Sequence, residues 1–168
     1  MAKVAFVLAA EYEDDEFKVP YDRLREAGHE VTVVGKDNTT ELRGHKGRET
    51  FTPDVAIDDV DAGQFDALVV PGGYSPDKLR SDARIVDFTR KFFEEGKPVA
   101  AICHAGSLLI DAEAVDGRTV TSWPSIRKDL ENAGANWVEQ EVVVDGNLIT
   151  SRNPGDLPVF VEALLKAL

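Results

Sequence analysis

Cysteine is nearly missing from this sequence: Cys103 stands alone among 168 residues. One cysteine excludes an intramolecular disulfide and any paired-cysteine metal site. Histidine is scarce too, with only His29, His45 and His104. No metal site is expected, because Cys103 and His104 are adjacent and have no further ligands at normal spacing. Positive charge is in deficit. Lys and Arg number 19 against 31 Asp and Glu, a net charge of −12, so most of the surface would repel phosphates and nucleic acid is not an expected partner. Long apolar runs are absent as well. None approaches the ~20 residues of a membrane span, so no membrane association is expected. The first run, Val4 to Ala10, stops at Glu11. It is too short for a secretory segment and reads instead as a buried first strand, with the cytoplasm as the expected compartment. No GxGxxG follows a strand and no GxxxxGK[ST] occurs, so neither a nucleotide nor any other cofactor is expected.

What is present is an alternation of short apolar runs with helical patterns over one expected domain, residues 1–168. Val4–Ala9 reads as a strand buried on both faces. Asp15 to Ala27 has helical spacing through Phe17, Tyr21 and Leu24, and Gly28 ends it. Val31–Val34 is the next strand. Lys36 to Val60 is irregular and predicts a small hairpin or an added edge. Asp66 to Val70 and Pro98 to Ile102 are buried strands, separated by an amphipathic helix over Asp82 to Glu95. A helix follows from Ser107 to Ala112 and a short strand from Thr119 to Thr121. Ser125 is the expected N-cap of a helix reaching Ala133. Asp145-Gly146-Asn147 joins two strands as a hairpin, and Pro158 to Leu168 is a last helix. The order predicts an α/β sandwich with a mostly parallel central sheet. Ligands bind such sheets outside the carboxyl ends of the strands.

Three strand ends then converge on one rim. Cys103 passes from a strand into a helix with no spacer, flanked by Ala101, Ala105 and Gly106. This is the pattern of a nucleophile elbow, where a sharp turn lifts the side chain over the sheet edge and the helix N-terminus favours thiolate. An acidic run follows the first strand: Glu11, Glu13, Asp14, Asp15 and Glu16. Most of these are expected to be solvated. An acid directly after the strand, with Glu13 the leading candidate, could be held against the sulfur with a raised pKa and relay a proton. Gly72-Gly73 ends the third strand, where Gly73 N–H and His104 N–H could form an oxyanion hole. His104 is the natural base for Cys103, although adjacent side chains at an elbow tend to diverge, and a third group must orient it. No histidine follows it, so the late His-x-Glu of a glutamine amidotransferase triad is excluded. His29 and His45 read as structural or solvated.

Several stretches carry a family resemblance. They are Ala-Glu-Tyr-Glu-Asp-Asp-Glu-Phe after the first strand, Val-Val-Pro-Gly-Gly-Tyr-Ser-Pro-Asp-Lys-Leu-Arg, Gly-Lys-Pro-Val-Ala-Ala-Ile-Cys-His-Ala-Gly, Thr-Ser-Trp-Pro-Ser-Ile, and Val-Val-Val-Asp-Gly-Asn-Leu-Ile-Thr-Ser-Arg. In this order the chain resembles the PfpI-type intracellular proteases of the ThiJ/PfpI superfamily, from Lys3 to the last helix. The resemblance implies a flavodoxin-like three-layer sandwich of the class-I glutamine amidotransferase type. It implies Cys103 as nucleophile, Glu13 hydrogen-bonded to it, His104 as its partner, and Gly73 with His104 as oxyanion donors. It implies an acid from a neighbouring subunit as third triad member, at the position of Asp77, where the family usually carries the longer Glu. Trp123 matches an aromatic position near the family's pocket. Ala105-Gly106 replaces the family's Gly-Pro. The activities implied are glyoxalase or deglycase action on small reactive carbonyls, peptidase action with a triad completed across a subunit interface, or a non-enzymatic role as redox sensor or holdase. The implied partners are a small carbonyl or peptide substrate and further copies of the chain, as a dimer or larger assembly.

Overall fold

The computed structural model describes residues 1–168. Strand β1 (Lys3–Val7) leads into α1 (Asp14–Glu26) and then β2 (Glu30–Gly35). Three two-residue strands follow, β3 (Leu42–Arg43), β4 (Thr50–Phe51) and β5 (Val55–Ala56). Next come β6 (Ala67–Val70), α2 (Ser75–Leu79), α3 (Ala83–Glu94), β7 (Val99–Ile102) and α4 (Gly106–Asp111). The last third holds β8 (Thr119–Val120), α5 (Arg127–Asn132), β9 (Asn136–Trp137), β10 (Val142–Asp145), β11 (Leu148–Ser151) and α6 (Leu157–Ala167).

Seven strands form the central sheet in the order β10-β11-β7-β6-β1-β2-β5. Every pairing is parallel except that of the edge strand β10 with β11. The alternation of side chains along each strand divides the core in two. Val4 and Phe6 of β1 point into a cluster closed by Phe17 and Leu24 of α1 and Phe160 and Leu164 of α6. Ala5 and Val7 point the other way, into a cluster built on α2 to α5 through Leu79, Ile85, Phe92, Leu108 and Leu130. Both faces of the sheet are therefore covered, which is why its strands read as unbroken apolar runs. This is the three-layer α/β architecture the sequence predicts.

The irregular segment after Lys36 resolves into both devices expected of it. β3 and β4 pair as a hairpin, and β5 extends the main sheet beside β2. Gly28 closes α1 at φ 88°, in the left-handed region where a Cβ is disfavoured. Three local features add to or change the sequence reading. Pro76 starts the short helix α2, which the sequence pattern did not announce. β8 pairs with β9 in a separate two-stranded sheet. Ser125 does not cap a helix. Pro124 opens a 3₁₀ turn over Pro124–Ile126, so α5 begins at Arg127 after Ile126, without a side-chain cap.

Candidate active site

The carboxyl ends of β1, β6 and β7 meet at one rim, and the elbow after β7 is its centre. Cys103 has φ 62°, a left-handed conformation in a residue other than glycine. Such strain costs on the order of 1–3 kcal/mol and persists only where the surroundings fix it. They do so here. The Cys103 carbonyl accepts the Trp123 N–H at 3.1 Å, and Cys103–Ala105 form a 3₁₀ turn feeding α4. The side chain points into a pocket of about 370 Å³ whose lining includes Glu13, Glu16, Lys46, His104 and Trp123. A larger cleft of about 760 Å³ lies between β10 and α6, but its lining contains no cysteine or histidine.

The acid beside the sulfur is Glu16, not Glu13. Glu13 is the N-cap of α1: its carboxylate accepts the Glu16 N–H at 2.9 Å and pairs with Lys46 Nζ at 2.5 Å. An N-cap side chain folds back on its own helix, so it is spent on orphan N–H groups. Glu16 sits one turn further in. It is fully buried, its Oε1 accepts the Gly72 N–H at 2.9 Å, and the Cys103 thiol lies against the carboxyl, placed to donate to it. The signal was present in the sequence. Glu16 shares the buried stripe of α1 with Phe17, Pro20 and Leu24, and an acid on an apolar stripe is the informative exception.

Gly72 makes this contact possible. A Cβ there would collide with the Glu16 carboxyl and stand 2.7 Å from the Cys103 Cβ. Gly73 lies at φ 74°, and a Cβ on it would meet the backbone of Glu11, Tyr12 and Glu13. The N–H groups of Gly73 and His104 both point at the sulfur, so the two oxyanion donors named from the sequence share one target. The adjacent side chains do not diverge: His104 Nδ1 lies 3.2 Å from Cys103 Sγ. The far nitrogen, Nε2, lies 3.2 Å from Ser125 Oγ. The Trp123 ring, 41% exposed, tilts over the imidazole at 6.3 Å, so Trp123 lines the mouth instead of packing in the core. Asp77 is exposed on α2, outside the pocket lining, and does not bond His104 within the chain.

Electrostatics follow from burial. Burial, then the nearby Glu13 charge, pushes the Glu16 carboxyl up from 4.5 to about 8, against the Gly72 N–H and the Cys103 contact. Glu16 therefore holds its proton at neutral pH. Burial and the Glu16 charge push the Cys103 thiol up to about 12, while the Gly73 and His104 N–H groups pull it down. The charge contribution disappears whenever Glu16 is protonated, so the two groups share protons as a pair. Burial also lowers the His104 pKa, which keeps the imidazole neutral and able to accept a proton.

A hairpin completes the wall. Asp14, buried beside Glu13, accepts the N–H groups of Lys46, Arg48 and Glu49, each at 2.9 Å. This clamps the segment between β3 and β4 over the pocket. His45, exposed as the sequence reading expects, also reaches the pocket lining, edge-on to Tyr74 at 6.0 Å. His29 is structural, its Nδ1 accepting the Ala2 N–H at 3.0 Å.

A strained cysteine elbow at the carboxyl rim of a parallel sheet, faced by a protonated acid and two backbone donors, defines a class of cysteine-dependent α/β proteins. The profile of the DJ-1/PfpI family matches residues 2–167, and the chain belongs to that family. It is 50% identical over 159 residues to General stress protein 18 of Bacillus subtilis, covering 94% of this chain and 92% of that protein. It is 48% identical over 167 residues to Protein/nucleic acid deglycase 2 of Escherichia coli, covering 99% and 97%. Among solved structures, a two-domain protein from Anabaena variabilis with DJ-1/ThiJ/PfpI-like and ferritin-like domains superposes with a TM-score of 0.97 at 42% identity. That match covers 99% of this chain and 48% of that one.

Proposed function

We propose that this chain is a stress-protective, cysteine-dependent enzyme acting on small reactive carbonyls, of the glyoxalase and deglycase type. The observation that carries the reading is the Cys103 sulfur in contact at once with the Glu16 carboxyl, His104 Nδ1 and two backbone N–H donors. The names of the stress-protein and deglycase relatives support the same class. A pocket of about 370 Å³ is near the lower end of ligand sites and suits a small substrate.

With methylglyoxal the steps balance as follows. His104 Nδ1 takes the thiol proton and the sulfur adds to the aldehyde carbon. The new oxyanion faces the Gly73 and His104 N–H groups and receives the Glu16 proton, giving a hemithioacetal. The Glu16 carboxylate then takes the proton from the carbon bearing sulfur and returns it to the neighbouring carbon, while the hydroxyl proton on the first carbon passes to the oxygen on the second, leaving a lactoyl thioester. Water hydrolyses the thioester to lactic acid and the thiol, and the proton held by His104 returns to Glu16, so both groups end as they began. A carboxyl with a pKa of about 8 suits both donating and accepting near neutral pH. An adduct of the same aldehyde on a protein or nucleobase amine meets the same sulfur, which is the deglycase form of the reaction.

A second reading, peptide cleavage by Cys103 and His104, is favoured by their 3.2 Å contact and requires Asp77 from a second copy of the chain. It belongs to a self-associated protein, and an obligate monomer that cleaved peptides would overturn it. No helix is long and apolar enough to cross a membrane. The cytoplasm is the proposed compartment.

The deciding experiment incubates the protein and its Cys103→Ser variant with methylglyoxal and measures lactate. Lactate from the wild type alone supports the reading. A folded, reduced wild type that makes none overturns it.

A further inference from the structure

The imidazole of His104 must show a bare nitrogen to the thiol before it can act as a base, and the structure holds a group that selects this state. Two backbone donors, the N–H groups of Gly73 and His104, face Cys103 Sγ. For His104 to act as the base, the sulfur's own proton must pass to Nδ1, which lies 3.2 Å away. If Nδ1 is bare, the neutral ring carries its proton on Nε2, which must then donate. Ser125 Oγ stands 3.2 Å from Nε2.

We propose that Ser125 is a positioning residue for His104: its hydroxyl accepts the Nε2–H and so holds the ring in the tautomer that turns a bare Nδ1 toward the Cys103 thiol. The proposal rests on the reading of Cys103 and His104 as nucleophile and base. The hydroxyl accepts the same Nε2–H before and after Nδ1 takes the thiol proton, so nothing rearranges when the charge moves. Unlike a carboxylate, it supplies no counter-charge, and His104 rests as a neutral base.

The turn bearing Ser125 is built to stay in place. Trp123 N–H is tied to the Cys103 carbonyl, and the Ser122 hydroxyl accepts the Trp137 Nε1–H at 2.9 Å and donates to the Trp123 carbonyl at 2.8 Å. The displaced start of α5 is what frees Ser125 for this contact. A cap on that helix would turn its oxygen toward backbone N–H groups instead.

The test uses the full chain with ¹⁵N-labelled histidine and two readouts that need no carbonyl turnover: the His104 tautomer by NMR, and the rate of Cys103 alkylation by iodoacetamide at neutral pH. Wild type should show His104 as the Nε2–H tautomer, like His29, whose bare Nδ1 accepts a backbone N–H and serves as internal reference. Ser125→Ala should mix the tautomers and slow alkylation roughly three- to tenfold, the scale of one hydrogen bond. Ser125→Thr, which keeps the hydroxyl, should restore both. An unchanged tautomer in Ser125→Ala overturns the proposal, whether or not the rate falls, because a merely structural role would alter only the rate. So does a loss seen in Asp77→Asn but not in Ser125→Ala, which would assign the orienting role to a partner's carboxylate. Absence of lactate formation would leave both readouts intact, so failure of the carbonyl reading is told apart from failure of this one.

Discussion

Glu16→Gln should raise the stability of the protein at neutral and alkaline pH while removing its proton relay. Burial and the Glu13 charge raise the Glu16 pKa from 4.5 to about 8. Below pH 4.5 the folded and unfolded chains both hold the proton, and the residue carries no ionisation penalty. Between these values the unfolded chain releases the proton and the folded chain does not. Stability therefore falls as pH rises, and the loss is complete above the folded pKa. At about 1.4 kcal/mol per tenfold change, the penalty is about 3 kcal/mol at pH 7, with a ceiling of about 5. Gln has no proton to release, and its carbonyl can still accept the Gly72 N–H. The variant should match wild type near pH 4 and gain about 3 kcal/mol at pH 7, or about 6–12 °C in Tm for a chain of this size. Urea and thermal unfolding at several pH values would measure this, with lactate formation followed in parallel. An equal difference at every pH, or a less stable variant at pH 8, would refute the picture of a buried, protonated Glu16. A gain in stability with a loss of turnover is the trade expected of a strained site.

Other perturbations have equally definite outcomes. Gly72→Ala forces a methyl between Glu16 and Cys103 and should cost about 1–3 kcal/mol in thermal unfolding, with altered thiol titration. Asp14→Ala removes the acceptor of three backbone N–H groups and should cost about 2–4 kcal/mol, with new proteolytic cleavage between Gly44 and Glu49. Burial alone would raise the Asp14 pKa, but the Lys46, Glu49 and Arg48 N–H groups outweigh it and hold it below 3.8. Its stabilisation is therefore present above that pH and fades as pH falls through the folded value, which acid titration of wild type against the variant would record. Cys103→Gly should be more stable than Cys103→Ala by about 1 kcal/mol in denaturant melts, because only glycine is unstrained at φ 62°.

The elements that bury both faces were legible because period and length speak directly: β1, β6, β7, α1 and α3 fall within a residue or two of their expected bounds. The elbow was legible because strand and helix meet at Cys103 without a spacer. Glu16 was missed because the reading favoured Glu13, an acid ahead of the helix, whereas helical phase decides which acid turns inward. Ser125 was missed because Ser before a helical pattern reads as a cap, and Pro124 shifted the helix start by two residues. The place of His45 in the pocket lining was not legible because it depends on Asp14, 31 positions earlier, gripping the neighbouring backbone of Lys46 and beyond. Contacts of that span leave no local pattern.

The strand order also sets a timetable. β7 pairs with β6 on one side and with β11 on the other, and β11 lies beyond residue 147. As the chain leaves the ribosome, the strand that carries the cysteine has an open edge until Leu148–Ser151 emerge. Over that interval the nascent protein presents an unpaired strand to its neighbours, the ordinary template for wrong pairing. Early release, or stalling of synthesis before residue 148, would leave β7 without its second neighbour, so the step that closes the sheet is also the one that retires its most adhesive edge.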